Sequence, residues 1–455
     1  MTKRKLFWTL ALAAVAAQAA LAADNSEGNT NLPPWLSRPL SLADAMNTAL
    51  SQNATILEAQ HDLEAQNGIV IQTRATALPT LSASGQYANE EITLPQVIPI
   101  PKASPPPIQN WSAGVKIVQN IYMGGRMVAA IKAADATDKQ AVANYQTSLA
   151  DTLLNVRLAY YDVLLAAQQI TVQEASVKLL EKERQDQQHR LDAGTVPKFN
   201  VLRAEVAVAN ERPALISARN SYRIAKNNLA NLLGYNVPRY VWEDIPLNLT
   251  DNFDTSPYNL NLPDAIQQAL ARRTELISLS KDVELQNLNI VNAKSGYKPT
   301  VSLFGGYNWQ NSEFVDDPRL EFNGWNAGAQ LNWNLFDGML TAGKIKQAKA
   351  LYAKSKITLE DQGRQIELQV RTMYSDFLQA RETLESQEKV QEEADEALRE
   401  ANARAEAGTG TQLDVLDAET SLTQARTTQI QAQHDYVTAR ARFERAIGSD
   451  LPQIK

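Results

Sequence analysis

Two aspartates, Asp414 and Asp417, lie three residues apart shortly after the turn Ala407-Gly408-Thr409. In a helix that begins after this turn, residues three apart lie on one face. Two carboxylates on one face attract cations, and several chains arranged around an axis would form a cation-selective mouth. A simpler interpretation is that both acids are solvated and are favoured by the positive end of the helix dipole. Both interpretations stay open until the elements that carry the pair are known.

No other group of side chains in the sequence has the spacing of a catalytic or metal site. The histidines His61, His189 and His434 lie far apart and lack ligand spacing. The six methionines form no pair that suggests a copper path. Gly408 and Gly410 lack the strand and helix context of a phosphate-binding loop. We therefore predict a protein that is not an enzyme and has no metal site and no cofactor.

The composition excludes several classes of protein. The chain of 455 residues has 44 Lys and Arg against 51 Asp and Glu, and its net charge of −7 argues against nucleic acid as a partner. With no cysteine, it can form no disulfide bond or Cys-ligated metal centre and cannot carry lipid on an N-terminal cysteine. Beyond its start it has no apolar run of the roughly 18 residues that a spanning helix needs. A helical inner-membrane transporter is therefore excluded.

The first residues predict export. Basic residues at positions 3–5 precede the apolar stretch 6–17, and Ala20-Leu21-Ala22 supplies the small residues that a signal peptidase reads. The stretch is too short to cross ~30 Å of hydrocarbon as a membrane anchor. We expect residues 1–22 to be a signal peptide and residues 23–40 to be an N-terminal extension.

The two halves of the sequence repeat each other. Leu42-Ala43-Asp44-Ala45 recurs 220 residues later as Leu262-Pro263-Asp264-Ala265, whereas Ala193-Gly194-Thr195 recurs 214 residues later as Ala407-Gly408-Thr409. One six-residue difference in the loop between two strands accounts for both offsets. A unit of ~200 residues is far longer than a solenoid repeat, so we predict a duplicated domain. The predicted boundaries are repeat 1 at 41–234, a linker at 235–261, repeat 2 at 262–448 and a C-terminal tail at 449–455.

Each repeat contains two segments in which apolar and polar residues alternate. The alternation predicts strands at about 79–89, 111–121, 299–310 and 325–336, each with one apolar face and one polar face. Strands of ~10 residues with such faces are typical of a transmembrane barrel. The aromatic residues near the strand ends would form a membrane-interface belt, and they are Trp111, Trp309, Trp325, Trp333 and Phe336. An amphipathic hairpin on a soluble core is the alternative for any one strand.

The predicted helices are unusually long. No proline occurs at 124–191 or at 338–406, and we predict long helices at 124–192 and 338–406. Each is followed by an Ala-Gly-Thr turn and a return helix of half the length, at 197–233 and 411–447. A further half-length helix is expected before the strands, from Ser41 and from Leu262. From Ile366 to Leu384, apolar residues step by 4, 3, 4, 3 and 4, which is a heptad seam.

Four strands cannot form a closed barrel in lipid, because an open sheet leaves backbone groups at two edges without hydrogen-bond partners. The chain must therefore associate with copies of itself. Eight strands give a barrel filled by its own side chains, so three chains with twelve strands are the smallest cyclic assembly that could conduct solute. The predicted fold class is an α+β membrane protein, a trimeric 12-stranded transmembrane β-barrel continued by a long α-helical coiled-coil barrel.

The ordered motifs resemble those of the TolC family of outer-membrane efflux proteins. The resemblance rests on the Leu-x-Asp-Ala starts, on the strand-to-helix glycines Gly124-Gly125 and Gly338, and on Ala407-Gly408-Thr409 followed by Asp414-Val415-Leu416-Asp417. It covers essentially the whole mature chain. It implies a homotrimeric channel-tunnel in the outer-membrane lipid of a Gram-negative bacterium, with the helical barrel in the periplasm.

The resemblance also implies partners and an activity. A periplasmic adaptor protein and an inner-membrane transporter of the RND, ABC or MFS type would dock to the tunnel for efflux, as in multidrug resistance, or for type I secretion. An exported coiled-coil structural or adaptor protein of the envelope is the alternative that the helices alone would allow.

The same resemblance assigns roles to particular residues. Asp414 and Asp417 would line the periplasmic entrance and select cations. The two turns would contact adaptor hairpins through Ala193, Gly194, Thr195, Ala407, Gly408 and Thr409. The Tyr and Arg that latch the entrance of the best-known member are replaced here by Ala405 and Gly410, and their aspartate partner is replaced by Asn200. We hypothesise that packing near Leu413 and Leu416 holds the entrance closed instead.

Overall fold

The computed structural model describes residues 39–90, 108–235, 244–259, 261–311 and 321–449. The predicted signal peptide 1–22, positions 23–38 of the predicted extension and positions 450–455 of the predicted tail lie outside the described residues. So do positions 236–243 and 260 of the predicted linker.

The helices and strands of the two repeats follow each other in the same order. The first repeat contains α1 (Leu42–Gln52), α2 (Ala54–Ala75), β1 (Thr80–Glu90), β2 (Ile108–Met123), α3 (Arg126–Asp192) and α4 (Lys198–Leu232). The second contains α5 (Leu262–Arg272), α6 (Thr274–Lys294), β3 (Thr300–Asn311), β4 (Glu321–Asn332), α7 (Leu340–Glu406) and α8 (Gln412–Ala446). Both long helices, α3 and α7, have 67 residues, and both return helices, α4 and α8, have 35. The helix bounds thus repeat at the offset of the sequence motifs.

The single half-length helix predicted before the strands is wrong, because in each repeat it is two helices. The backbone is extended at Asn53, between α1 and α2, and at Arg273, between α5 and α6. Asn53 donates its side-chain N–H to the carbonyl of Leu232 at 2.6 Å, and Arg273 donates to the carbonyls of Arg445 and Ala446 at 3.4 and 3.2 Å. These carbonyls lie at the C-terminal ends of α4 and α8, where no N–H of the same helix reaches them, although that of Arg445 also accepts the N–H of Gly448 at 3.1 Å. Each break therefore caps the return helix of its own repeat.

The four strands form one antiparallel sheet in the order β1-β2-β3-β4. Residues directly opposite each other point to the same face. One row across the sheet is Ala83, Val115, Tyr307 and Trp325, and the next is Ser84, Gly114, Asn308 and Gly324. The register therefore aligns most apolar positions on one face and most small and polar positions on the other, with Val118 and Phe304 as exceptions on the second face.

The strand ends differ from the prediction. β4 covers Glu321–Asn332 rather than 325–336, so Trp333 and Phe336 lie beyond it. Asn332 pairs with Thr300, the first residue of β3, and a 3-10 turn precedes Thr300, so no strand remains for later residues to pair with. β2 is longer than predicted and carries a β-bulge between positions 120 and 122.

The main helical core lies midway along the long helices. The predicted heptad seam of α7 is confirmed, because Ile366, Val370, Phe377 and Leu384 are buried. Phe377 stacks on Phe443 of α8 with ring centroids 5.9 Å apart. The hydroxyl of Tyr160, at the centre of α3, is buried and donates to the carbonyl of Leu40 at 3.0 Å. The core therefore joins both repeats at one level.

The described part of the predicted linker packs against this core. Ile245 and Leu247 are 4% and 1% exposed. The backbone N–H of Leu40 donates to the carbonyl of Asn248 at 2.8 Å, next to an isolated parallel bridge. The described part of the segment between the repeats, 244–259, is therefore packed against the helices and is not a free tether.

The glycines at the two strand-to-helix turns allow a matched test of the fold. Gly124 and Gly338 both have φ 65°. A Cβ at Gly124 would lie 2.9 Å from the Ser295 carbonyl oxygen and 2.9 Å from Lys298, whereas a Cβ at Gly338 would meet nothing within 4 Å. We predict that Gly338→Ala destabilises the protein by about 1–2 kcal/mol, the cost of the left-handed conformation. Gly124→Ala should destabilise it more, because the clash adds to that cost.

The measurement is the denaturant concentration at the midpoint of unfolding of each detergent-solubilised variant, monitored by circular dichroism. Equal losses of stability for the two variants would contradict the prediction, since they would show that the turn at Gly124 relaxes without strain.

Candidate functional site

Each long helix ends in the same hydrogen-bonded turn. Gly194 and Gly408 have φ 73° and 74°, in the left-handed region. The next residue, Thr195 or Thr409, donates its backbone N–H to a carbonyl five residues earlier, at 2.9 and 3.0 Å. This is the Schellman motif, in which glycine ends a helix. The predicted adaptor contacts are all exposed: Ala193, Gly194, Thr195, Ala407, Gly408 and Thr409.

The two helix tips lie beside each other. Gln412, the first residue of α8, donates its side-chain N–H to the backbone carbonyl of Asn200 in α4 at 3.3 Å. It also approaches a carboxylate oxygen of Glu183 in α3 at 3.5 Å. One side chain of the second repeat therefore bridges both helices of the first.

Asp414 belongs to the helix start itself. Its carboxylate accepts the backbone N–H of Thr411 at 2.9 Å, and its own N–H donates to the Thr411 hydroxyl at 3.2 Å, which is a reciprocal capping box. The backbone N–H of Thr411 lowers the pKa of Asp414, so this carboxyl is ionised at neutral pH. Asp417, three residues later, is also exposed. The capping role of Asp414 is thus established, and the entrance role of the pair stays a prediction.

Leu413 and Leu416 occupy different environments. Leu416 is buried between α3, α4 and α8, where it contacts Leu180 and Val208. Leu413 is 41% exposed. Leu416 therefore fixes α8 within one chain, and Leu413 is the member of the pair that a neighbouring chain could reach.

The three positions at which the resemblance predicts a missing latch come together in space. Asn200, Ala405 and Gly410 all line one cavity of about 490 Å³ at the helix tips. Alanine and glycine offer no side-chain donor, so the Tyr and Arg hydrogen bonds cannot form. The Gln412 contact to the Asn200 carbonyl lies at this level and connects the two hairpins of one chain.

The same cavity contains buried polar residues that the sequence analysis did not single out. Glu419 is 4% exposed, and burial, reinforced by the nearby Glu183, raises its pKa to about 7. The sequence did indicate this burial, because Glu419 follows Val415 by four residues and precedes Leu422 by three, which is the spacing of a buried helix face. A carboxylate therefore occupies a core position.

His434 has charged partners that sequence spacing could not reveal. Its ring nitrogens lie 3.0 Å from Asp162 in α3 and 3.1 Å from the neighbouring Asp435. Burial lowers its pKa, but the hydrogen bonds to the two carboxylates outweigh burial and the net pKa is raised. The residue joins α8 to α3 near the central core.

The predicted interface aromatics lie on or just beyond the sheet. Trp325 and Phe336 are 79% and 85% exposed. The ring of Trp309 lies 4.5 Å from that of Tyr307. Trp333 donates its ring N–H to the Tyr297 carbonyl at 3.1 Å. Trp111 in β2 pairs with Tyr87 of β1.

Two features are absent from the part of the chain that the structure describes. No set of three or more His, Cys, Asp or Glu side chains there is placed to hold a metal ion. No helix in the same ranges is long and apolar enough to cross a membrane.

Comparison with known proteins gives a consistent result. Residues 45–235 and 265–449 match the family described as outer membrane efflux protein. The outer membrane protein TolC of Vibrio cholerae is 24% identical over 415 residues, which cover 90% of this chain and 91% of TolC. The alkaline protease secretion protein AprF of Pseudomonas aeruginosa is 27% identical over 302 residues, which cover 66% of this chain and 62% of AprF.

A solved structure shares the fold. The outer membrane channel MtrE of Neisseria gonorrhoeae, in its open state, has a TM-score of 0.75 and 19% identity, and the match covers 94% of this chain and 95% of MtrE. The two segments of the family match correspond to the two repeats.

Proposed function

Because the chain belongs to the outer membrane efflux protein family, we propose that three copies form a passive conduit from the periplasm to the exterior. Proteins of this family are channels and not enzymes, and the chain is an outer-membrane protein with a periplasmic helical tunnel. The trimer, its partners and its entrance are the finer parts of this proposal.

The open sheet is the observation that carries the proposal. Among the described residues, β1 and β4 are the outer strands, and neither pairs with another strand on its outer edge. Large apolar side chains are exposed on the sheet, with Leu81 72%, Trp325 79% and Leu331 66% exposed. Lipid can cover these side chains but cannot satisfy the edge N–H and C=O groups. Three copies would join these edges into a twelve-stranded barrel.

A second seam on α4 supports the trimer. Val201, Ala204 and Val208 of α4 are buried within the chain. At heptad spacing on another face lie exposed apolar residues, Phe199, Leu202, Val206, Ala209, Pro213 and Ile216. An exposed heptad seam predicts a neighbouring helix. In a ring of three chains, this seam would pack against the next copy and close the helical barrel.

The partners follow from the exposed tips and the relatives. A periplasmic adaptor would contact the two Schellman turns, and an inner-membrane transporter of the RND, ABC or MFS type would supply the energy. The name of AprF indicates protein secretion, and the family description indicates efflux. The conduit would serve one of these two systems, and the transporter would select the substrate.

The entrance would lie at the helix tips. Three copies would place the Asp414 and Asp417 pairs around a common axis, with Leu413 of each chain beside them. The carboxylates would attract cations and would repel each other as the mouth narrows. Packing of Leu413 against a neighbouring chain would oppose that repulsion and hold the mouth closed.

The alternative, a coiled-coil structural or adaptor protein, is less consistent with the sheet. An adaptor would need the heptad seams, but it would not need four strands with an aligned apolar face. The number of chains in the assembly distinguishes the two functions, because a barrel of this kind requires three chains.

We predict that Val206→Asp on the exposed seam of α4 abolishes the trimer, because a carboxylate would be buried unpaired against the next copy. Asn210→Asp, which adds the same charge at a flanking exposed position, should leave the trimer intact. The measurement is the heat-modifiable mobility of the protein from outer-membrane extracts on electrophoresis gels. A trimer that survives Val206→Asp would contradict the proposed interface.

We predict that the double variant Asp414→Asn, Asp417→Asn reduces cation preference and weakens block by divalent cations in planar bilayers. The reason is that neutral amides remove the charge at the mouth and keep the size of the side chains. Thr411→Ala is the matched control, since it removes the hydroxyl partner of Asp414 without changing any charge. Unchanged conductance and divalent block in the double variant would rule out the entrance assignment.

We predict that Thr195→Cys and Thr409→Cys form crosslinks to an adaptor protein in cells. Both positions are exposed at the tips, and the natural chain has no cysteine to compete for the reagent. Glu385→Cys, on an exposed face of α7 away from the turn, serves as the control. The contact assignment would be wrong if the two tip positions captured no more adaptor than Glu385→Cys does.

A further inference from the structure

The cavity at the helix tips holds a cluster of oxygen-bearing side chains centred on Glu183. One carboxylate oxygen of Glu183 accepts the side-chain N–H of Gln187 at 2.8 Å. The side-chain N–H of Gln412 approaches the same oxygen at 3.5 Å. The charge of Glu183 also acts on Glu419. All four residues line the same cavity, between α3 and α8. The cluster therefore converges from both repeats.

Three oxygens of this cluster have no hydrogen-bond partner. They are Oε1 of Gln187, Oε1 of Gln412 and Oε2 of Glu419, and each is buried. Gln187 and Glu419 are each only 4% exposed. Buried polar atoms are nearly always satisfied, and an unsatisfied one costs about 1–3 kcal/mol. Two of these atoms are amide oxygens and the third is a carboxyl oxygen, so a cation would satisfy all three.

We propose that this cavity binds one hard divalent cation per chain, with Ca²⁺ as the best fit, through oxygens of Glu183, Gln187, Gln412 and Glu419. Calcium accepts carboxylate and amide oxygens together in flexible geometry, whereas Mg²⁺ demands a near-ideal octahedron and retains its water. The site is separate from the exposed Asp414 and Asp417, and it does not depend on the proposed channel function. The ion would tie α8 of the second hairpin to α3 of the first.

The charges around the cavity are compatible with a divalent cation. Besides Glu183 and Glu419, its wall includes the charged residues Lys182, Asp186, Arg190, Arg203 and Glu406. With Glu419 ionised, four carboxylates face three cationic groups.

The test is calorimetric titration of the full-length protein in detergent with calcium chloride. All variants carry Asp414→Asn and Asp417→Asn, which remove the exposed acids. We expect one Ca²⁺ per chain in this background and an affinity reduced by about tenfold or more in Glu419→Gln. Glu205→Gln, at an exposed position of α4 outside the cavity, is the matched control and should bind like the background protein.

Two results would overturn the proposal. One is the absence of calcium binding in the background protein. The other is equal affinity in the background protein and in Glu419→Gln. Circular dichroism and trimer mobility verify that each variant folds, and Glu183→Gln replaces Glu419→Gln if the latter does not. Because calcium binding is measured without a membrane, its failure leaves the conductance experiment unaffected.

Discussion

The backbone hydrogen bonds at the two outer strands constrain everything else in this protein. A sheet of four strands is too narrow to close, and hydrocarbon offers no donor or acceptor to its edges. The aligned apolar face already suits lipid, so the missing element is a neighbour along the edge and not a cover for the face. In the proposed trimer, a second copy of the same chain would supply that neighbour, since the order β1-β2-β3-β4 leaves two different edges that can join head to tail.

The helical part meets a related constraint of length. Each long helix of 67 residues extends for roughly 100 Å. In each repeat, the return helix and the broken pair before the strands together come to about that length, with 68 residues in the first repeat and 67 in the second. The last carbonyls of each return helix have no N–H donor within that helix. Asn53 and Arg273 satisfy those carbonyls from the breaks, and the main core lies at the same level. The junction therefore combines hydrogen bonds from the breaks with the packing of the main core.

At the helix tips, the residues that stabilise one chain differ from the exposed residues that would contact neighbouring chains. Leu416 and the Asp414 capping box fix the start of α8, and the Schellman turns end the long helices without using their exposed surface. Exposed residues such as Leu413 stay free for neighbours. Glu419 departs from this division, because it occupies a core position with a charge-bearing side chain. A buried carboxylate at a seam is costly unless it is neutralised or paired, and such sites are often functional.

The sequence by itself determined the duplication, the lengths of the long and return helices, the alternating strands and the family. These features are predictable because helix and strand periodicity and turn glycines are local properties of the chain. Tertiary structure decided the breaks at Asn53 and Arg273, the early end of β4, the burial of Leu416 and the cluster around Glu183. Each of these depends on partners distant in sequence: Arg273 caps a helix 173 residues away, and Gln412 reaches a carboxylate 229 residues away. No local pattern records such a contact, because its energy exists only once both repeats have packed together.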